Sequence, residues 1–575
     1  MDRPQSTIRP DSDPQGASVS LQDRWGIAAR SGLWAVPIRI LFVIDGRINL
    51  AKGKEDFGLG YVLDTLRAAW SYWVTCEIDI ASREETMSAA ARDGKTVKFL
   101  NFRFTQPDFN IDHYHQIWFF GDQPNETDGA DATTDAHILP PYTLEDPELA
   151  TIGAWMDRGG GVFATGDHGV LGASMCSRIP RVRAMRRWKR SEGVPTLNGP
   201  RRHQTLQGGS PFLGEGDTQL QPVELVYWAT AYKLPFLPQY QPHAVMCSRW
   251  GPIDRFPDHM HEGDLVPDQL VDLDRPLDIP GHDAPEFPFA IPEFIAAGLT
   301  DVGTFRWRPT PEIVAFGQTT NAYYPEELVF APAAVGAIRP TQFLTKRFGL
   351  VSVYDGHAAD VGRVVCDSTW HHWLSTNLDG IVTGDVFAHR KMQAYYRNIA
   401  LWLSGRKQQQ SMLVSAAWGA LIGSWPGLFT SEQNAWDMGD RALSIFASTM
   451  SPCWSDEVVS SYLDIKAKSL RKLSGDLSSA PEWRGLSVEL VNRAVVGSIC
   501  TALFETAFEH RRDLQRSDRV DVDVDRIQEL GARGAAEGIQ LLRETLTEAA
   551  RSFATLRDVL TPDHASNSDQ GRQDR

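Results

Sequence analysis

Cysteine is scarce in this chain, six in 575 residues, with no CxxC pair and no dense cluster. That pattern excludes a disulfide framework of the small secreted type, and a reducing cytoplasm is the expected home. Basic residues are in deficit as well. Lys and Arg total 57 against 73 Asp and Glu, a formal charge of −16, so the chain as a whole repels nucleic acid and anionic membrane. No long apolar run is present. The most apolar window, 411–429, is broken by Gly419, Gly423, Ser424, Pro426 and Gly427, and reads as a buried core helix with its turn, not a membrane span. Residues 1–20 lack an apolar h-region, so no export signal is expected. What remains is ordinary globular material, 42% hydrophobic and 10% aromatic, long enough for two to three domains.

Composition divides the chain. Residues 1–25 and 561–575 are polar and read as a disordered arm and tail. Residues 26–405 alternate β-branched runs with amphipathic stretches. Ile38–Ile44 ends at Asp45 and Gly46, Gln116–Phe120 delivers Gly121 and Asp122, and Val162–Thr165 follows a triple glycine. Val74–Ile80 and Val97–Phe104 are further strand candidates, while Gly58–Trp70 and Pro147–Asp157 carry helical stripes. This rhythm predicts an α/β fold: a doubly wound, mainly parallel, flavodoxin-like sheet with long loop insertions. From 406 to 560 the periodicity is helical, around Ala435–Met450, Asp456–Leu473, Ser487–His510 and Asp523–Leu560. A C-terminal all-helical domain is predicted there.

Thirteen of fifteen histidines precede Gly405, which assigns the chemistry to the α/β part. Four segments stand out. In Phe163–Met175 a buried strand runs into Gly166, Asp167, His168 and Gly169; such a turn projects a side chain over the sheet edge and aims amides at a ligand, or is a βα turn with Asp167 as a cap. In Phe256–Asp264, an extended chain would put His259 and His261 on one face beside Glu262, a set that suits zinc or another divalent ion, or else forms a surface turn. In Gly349–Trp373, strands Leu350–Tyr354 and Arg363–Cys366 form a hairpin around Asp355, Gly356 and His357. The second strand leads to His371 and His372, of which at most one reaches a common site if the strand continues; both could equally pack as hydrogen-bonding aromatics. Arg178–Arg202 carries nine Lys or Arg and one acid, Glu192. Arg183 and Arg186 there could bind an anion, or the run could be a solvated or docking face.

The order IRILFVIDG, HQIWFFGDQ, RGGGVFATGDHG, PHAVMC and VGRVVCDSTWHH resembles the class I glutamine amidotransferase-like superfamily, and within it the trehalose-utilisation (ThuA-like) group, over about residues 35–405. Glutaminases of that superfamily place a nucleophilic cysteine at the glycine-rich elbow. This chain has none there, and Cys176, eight residues past His168, is expected two helical turns away. Glutamine hydrolysis is therefore disfavoured, and the ThuA-like group implies a carbohydrate-related substrate. The residues suggest a hydrolase or lyase whose carboxyl edge gathers Asp45, Asp122, Asp167, His168 and one of His371 or His372, with metal assistance if the His259 set is real. The alternative is a non-catalytic sensor or scaffold binding an anionic small molecule at the glycine turn and the Arg run. The helical region is left for oligomerisation or a protein partner. Nucleic-acid and membrane partners are not expected.

Overall fold

The structure is a computed structural model that describes residues 35–53, 57–68, 71–123, 143–167, 171–186, 188, 220–234, 237–257, 311–323, 342–423, 428–449, 451–462, 488–514, 516 and 522–560. Eight strands make the central sheet: β1 (Val36–Ile44), β2 (Val74–Ser82), β3 (Gln116–Phe120), β4 (Gly161–Thr165), β5 (Glu224–Leu225), β6 (Glu312–Tyr323), β7 (Gln342–Tyr354) and β8 (Val364–Asp367). Their spatial order is β2-β1-β3-β4-β8-β7-β6-β5. The first five run parallel; β7, β6 and β5 extend the sheet in antiparallel fashion.

The central strands β3 and β4 are buried along their whole length because both faces are covered, whereas the edge strand β2 exposes Thr75 and Glu77. Parity sorts the side chains of the parallel strands. Ile38, Ile40, Phe42 and Ile44 enter one core with Trp118, Phe120 and Phe163, while Leu41, Val43, Ile117, Phe119, Val162 and Ala164 enter the other. Nine helices of eight or more residues lie among the described residues: α1 (Gly60–Arg67), α2 (Asp146–Asp157), α3 (Ser375–Gly384), α4 (Val386–Leu403), α5 (Arg406–Ile422), α6 (Ala435–Thr449), α7 (Pro452–Val459), α8 (Val488–Leu514) and α9 (Val524–Leu560). α2 packs on the second core through Leu149, Ile152, Trp155 and Met156. α1, α4, α5 and α8 contribute to the first.

That first core runs without interruption from the sheet into the helices beyond 405. Trp73 lies against Trp454 with ring centroids 4.3 Å apart, the Tyr72 hydroxyl donates to Ala416 O at 3.1 Å, and Arg363 bridges Asp355 and Glu457. Cys247 and Cys453, 206 positions apart, form a disulfide that also joins the two regions, and the other four cysteines are free thiols. No described helix is long and apolar enough to cross a membrane.

Two expectations change. Val97–Phe104 is not a strand: Asn101 has φ +48°, the amides of Lys98 and Phe99 both reach Ile80 O, and Phe99, Phe102 and Phe104 fold into an aromatic knot with Phe109. Helices α3 and α4 close the part of the chain that precedes Gly405. The helix expected from Asp456 starts at Pro452 and passes into a 3-10 turn at Ser460–Tyr462; 463–473 lies outside the described residues.

Candidate functional site

Crevices in parallel sheets lie beyond the carboxyl ends of the strands, where the strand order reverses. Here the chain leaves β1 for β2 on one side and returns to β3 on the other. Asp45 follows β1, Asp122 follows β3 by two residues, Asp167 follows β4 by two, and β8 ends at Asp367, before Thr369 and His371. Four strand ends thus deliver the polar residues to one edge.

Asp45 is fully buried. Its Oδ1 accepts the amides of Asp122 (2.5 Å) and Gln123 (3.3 Å), whereas its buried Oδ2 has no hydrogen-bond partner. Burial first, and the neighbouring Asp122 carboxylate second, push the Asp45 carboxyl up to about 8. Asp122 itself is held by Arg47, through the backbone amide at 2.7 Å and the guanidinium at 3.0 and 3.1 Å. Gly46 makes the approach of these groups feasible. Its φ is +56°, and a Cβ there would stand 2.2 Å from Asp122 Oδ2.

At the β4 turn, Gly166 packs against Gly172 so closely that a Cβ on Gly166 would meet Leu171 O at 2.3 Å. This tight turn presents Asp167, which is 1% exposed. Thr369 Oγ1 donates to Asp167 Oδ1 at 2.8 Å and accepts the His371 amide at 3.1 Å. His371 sits in the 3-10 turn Trp370–His372, with Nε2 3.3 Å from Asp167 Oδ2 and Nδ1 2.9 Å from Asn377 Oδ1. If Nδ1–H donates to Asn377, the Nε2 position is the one that exchanges a proton with Asp167. Arg186, buried beneath the turn, donates to Asp167 O at 2.8 Å and stacks 4.3 Å over the Trp188 ring. Burial lowers its guanidinium to about 10, still charged at neutral pH.

The structure therefore brings His371, not His372, to Asp167. His372 turns the other way: its Nδ1 meets Asp367 at 2.8 Å, and that carboxylate also accepts Trp373 Nε1 at 3.0 Å and the Tyr395 hydroxyl at 2.9 Å. The arrangement is a buried brace under the β8 end. Arg186 supports the turn's backbone, and Arg183 is half-buried in the 3-10 turn Val182–Ala184. The start of the Arg run is a docking face, with Arg178 paired to Asp146 and Arg181 to Asp157 at 2.6 Å. His168, Gly169, His259, His261 and Glu262 lie outside the described residues, so the proposed metal set is not placed. Among the described residues no group of three or more His, Cys, Asp or Glu could hold a metal ion.

Cys176 is nearer than helical spacing implies. The single turn Ala173–Cys176 doubles back and sets Sγ 3.9 Å from Thr165 O. Burial and the nearby Asp45 raise its thiol well above the usual range, which opposes thiolate formation. Thr369, Asn377 and Arg47 belong to no motif that marks them in the sequence. Thr369 stands in the CDSTWHH segment already noted, and Asn377 follows it at the start of α3. Comparison with family models, curated proteins and solved structures returns no match.

Proposed function

We propose that this chain is a hydrolase or lyase with a flavodoxin-like, amidotransferase-like sheet that lacks the elbow cysteine, and that it acts on a small polar, carbohydrate-related substrate. The reading rests on one observation: Asp167, Thr369, His371 and Asn377 form a continuous hydrogen-bonded set at the strand ends. The parallel strand order β2-β1-β3-β4-β8 favours the flavodoxin-like assignment, and the cysteine-free turn favours the ThuA-like comparison. In this scheme the Asp167–His371 pair accepts a proton from water as its oxygen bonds to the substrate carbon that carries the leaving oxygen, or, in an elimination, from the adjacent carbon, and the bond to the leaving oxygen breaks. Asp45, protonated near neutrality, donates from Oδ2 to the leaving oxygen. The proton then returns through solvent, so the cycle balances. With neighbouring strands about 4.8 Å apart, Asp45 and Asp167 follow strands roughly 10 Å apart, with β3 and Asp122 between them. Arg47, whose side chain is 52% exposed, stands at the rim beside Phe57 and Trp370.

The test uses the purified full chain with a panel of glycosides, sugar esters and lactones, products being followed by mass spectrometry. His371→Ala should lower turnover at least about a hundredfold, the usual contribution of a positioned acid–base group, without altering the circular dichroism spectrum. Undiminished turnover in that variant overturns the assignment. A second reading, a ligand-sensing or scaffolding protein, is favoured by burial: Asp45, Asp122, Asp167 and His371 are each no more than 3% exposed. Saturable binding of panel compounds with no turnover would support it.

A further inference from the structure

At the opposite end of the sheet, where β1, β3 and β4 begin, lies a cavity of about 810 Å³. Its wall carries four cationic side chains, Arg39, Arg158, Arg406 and Lys407, against two carboxylates, Asp112 and Asp360. Arg158 reaches Asp112 at 2.6 Å, so that pair cancels and leaves Arg39, Arg406 and Lys407 against Asp360. Arg39 is fixed by its Nε donating to His113 O at 2.6 Å, and Arg406 by Nη2 donating to His357 O at 2.6 Å. The Arg406 Nε is buried with no acceptor. The surplus of positive charge is local, because the chain as a whole carries −16. His115, also on the wall, is pushed down to about 4 by burial and by Arg39 and His113, so it is neutral at pH 7 and the positive charge comes from the Arg and Lys side chains alone.

The backbone adds to this field. α5 begins at the cavity. Its cap residue Gly405 offers no side-chain acceptor, and the first intrahelical bond runs from Gln409 N to Gly405 O at 2.9 Å. The amides of 406–408 thus have no intrahelical acceptor and carry the positive end of a 17-residue helix. Gly159 and Gly160 line the facing wall. Side-chain cations, free helix amides and an open cleft coincide, the combination that receives phosphate groups.

We propose that this basal cavity is a second ligand site, distinct from the Asp167 edge, for a small molecule bearing a phosphate or comparable oxyanion. Inorganic phosphate and pyrophosphate are the probes, titrated calorimetrically into the full chain at low ionic strength. Saturable binding is expected, weakened at least tenfold in Arg406→Gln and severalfold in Lys407→Glu, an exposed position whose change leaves packing intact. His371→Ala should bind the probes as wild type does, which keeps this site separate from the catalytic reading. Three results would overturn the proposal: no saturable binding of either probe, unchanged affinity in both cavity variants, or affinity lost in His371→Ala alone.

Discussion

Replacing Asp45 with Asn tests the electrostatics of the strand edge. Unfolded, the carboxyl titrates near its ordinary 3.8; folded, it titrates near 8. Between those values the folded chain holds the extra proton, so stability is highest at low pH and declines as pH rises through the window. The slope is about 1.4 kcal/mol per pH unit. From pH 5 to pH 7.5 the wild-type chain therefore loses roughly 3 kcal/mol on account of this group. Asp45→Asn keeps an Oδ1 acceptor for the Asp122 and Gln123 amides, retains the shape of the side chain and does not titrate. Thermal melts followed by tryptophan fluorescence at both pH values read the effect, since titrations common to both proteins cancel in their difference. The variant's Tm minus the wild type's should widen by about 2–3 °C towards higher pH, since an unfolding entropy of about 2.1 cal/mol/K per residue gives about 0.8 °C per kcal/mol for 575 residues. A gap that stays constant across the window would refute a raised Asp45 pKa, and with it the use of this carboxyl as a proton donor.

Other consequences are as direct. Arg83 and Glu148 form an ion pair at 2.9 Å with both side chains no more than 1% exposed, and Glu148 also accepts the Phe104 amide at 3.0 Å. Glu148→Ala should cost about 3–5 kcal/mol by stranding a buried guanidinium, seen as a lowered Tm, whereas Arg83→Met with Glu148→Leu should recover most of it. Alkylation under denaturing, non-reducing conditions should modify four cysteines and spare Cys247 and Cys453. Reduction should raise the count to six and lower Tm, and Cys453→Ser should abolish that response.

The legible parts of the fold were those where one residue type sufficed. β1, β3 and β4 announced themselves because strands covered on both faces have no reason to alternate polarity, and α2 because Pro147 and the triple glycine mark its ends. Val97–Phe104 misled because alternating aromatics also describe a knot of rings whose backbone bonds scatter. Asp45, Asp122 and Asp167 could be anticipated as strand-end residues. The pairing of His371 with Asn377 could not, because it depends on how the 3-10 turn after β8 feeds α3. Nor could the separate duties of the adjacent His371 and His372, which a pattern of neighbours in sequence does not distinguish. The nearness of Cys176 to Thr165 was hidden by the assumption of a continuous helix where the chain makes one turn.

The joint between sheet and C-terminal helices limits how this protein can be dissected. Tyr72 rests against Gly419 so tightly that a Cβ there would stand 2.1 Å from the ring, and Gln408 reaches back to Pro37 O at 2.7 Å. A fragment ending at 405 would expose a wall of aromatic and aliphatic groups to water, an adhesive surface prone to clumping. Shortened versions intended for enzymology should keep everything through the last helix.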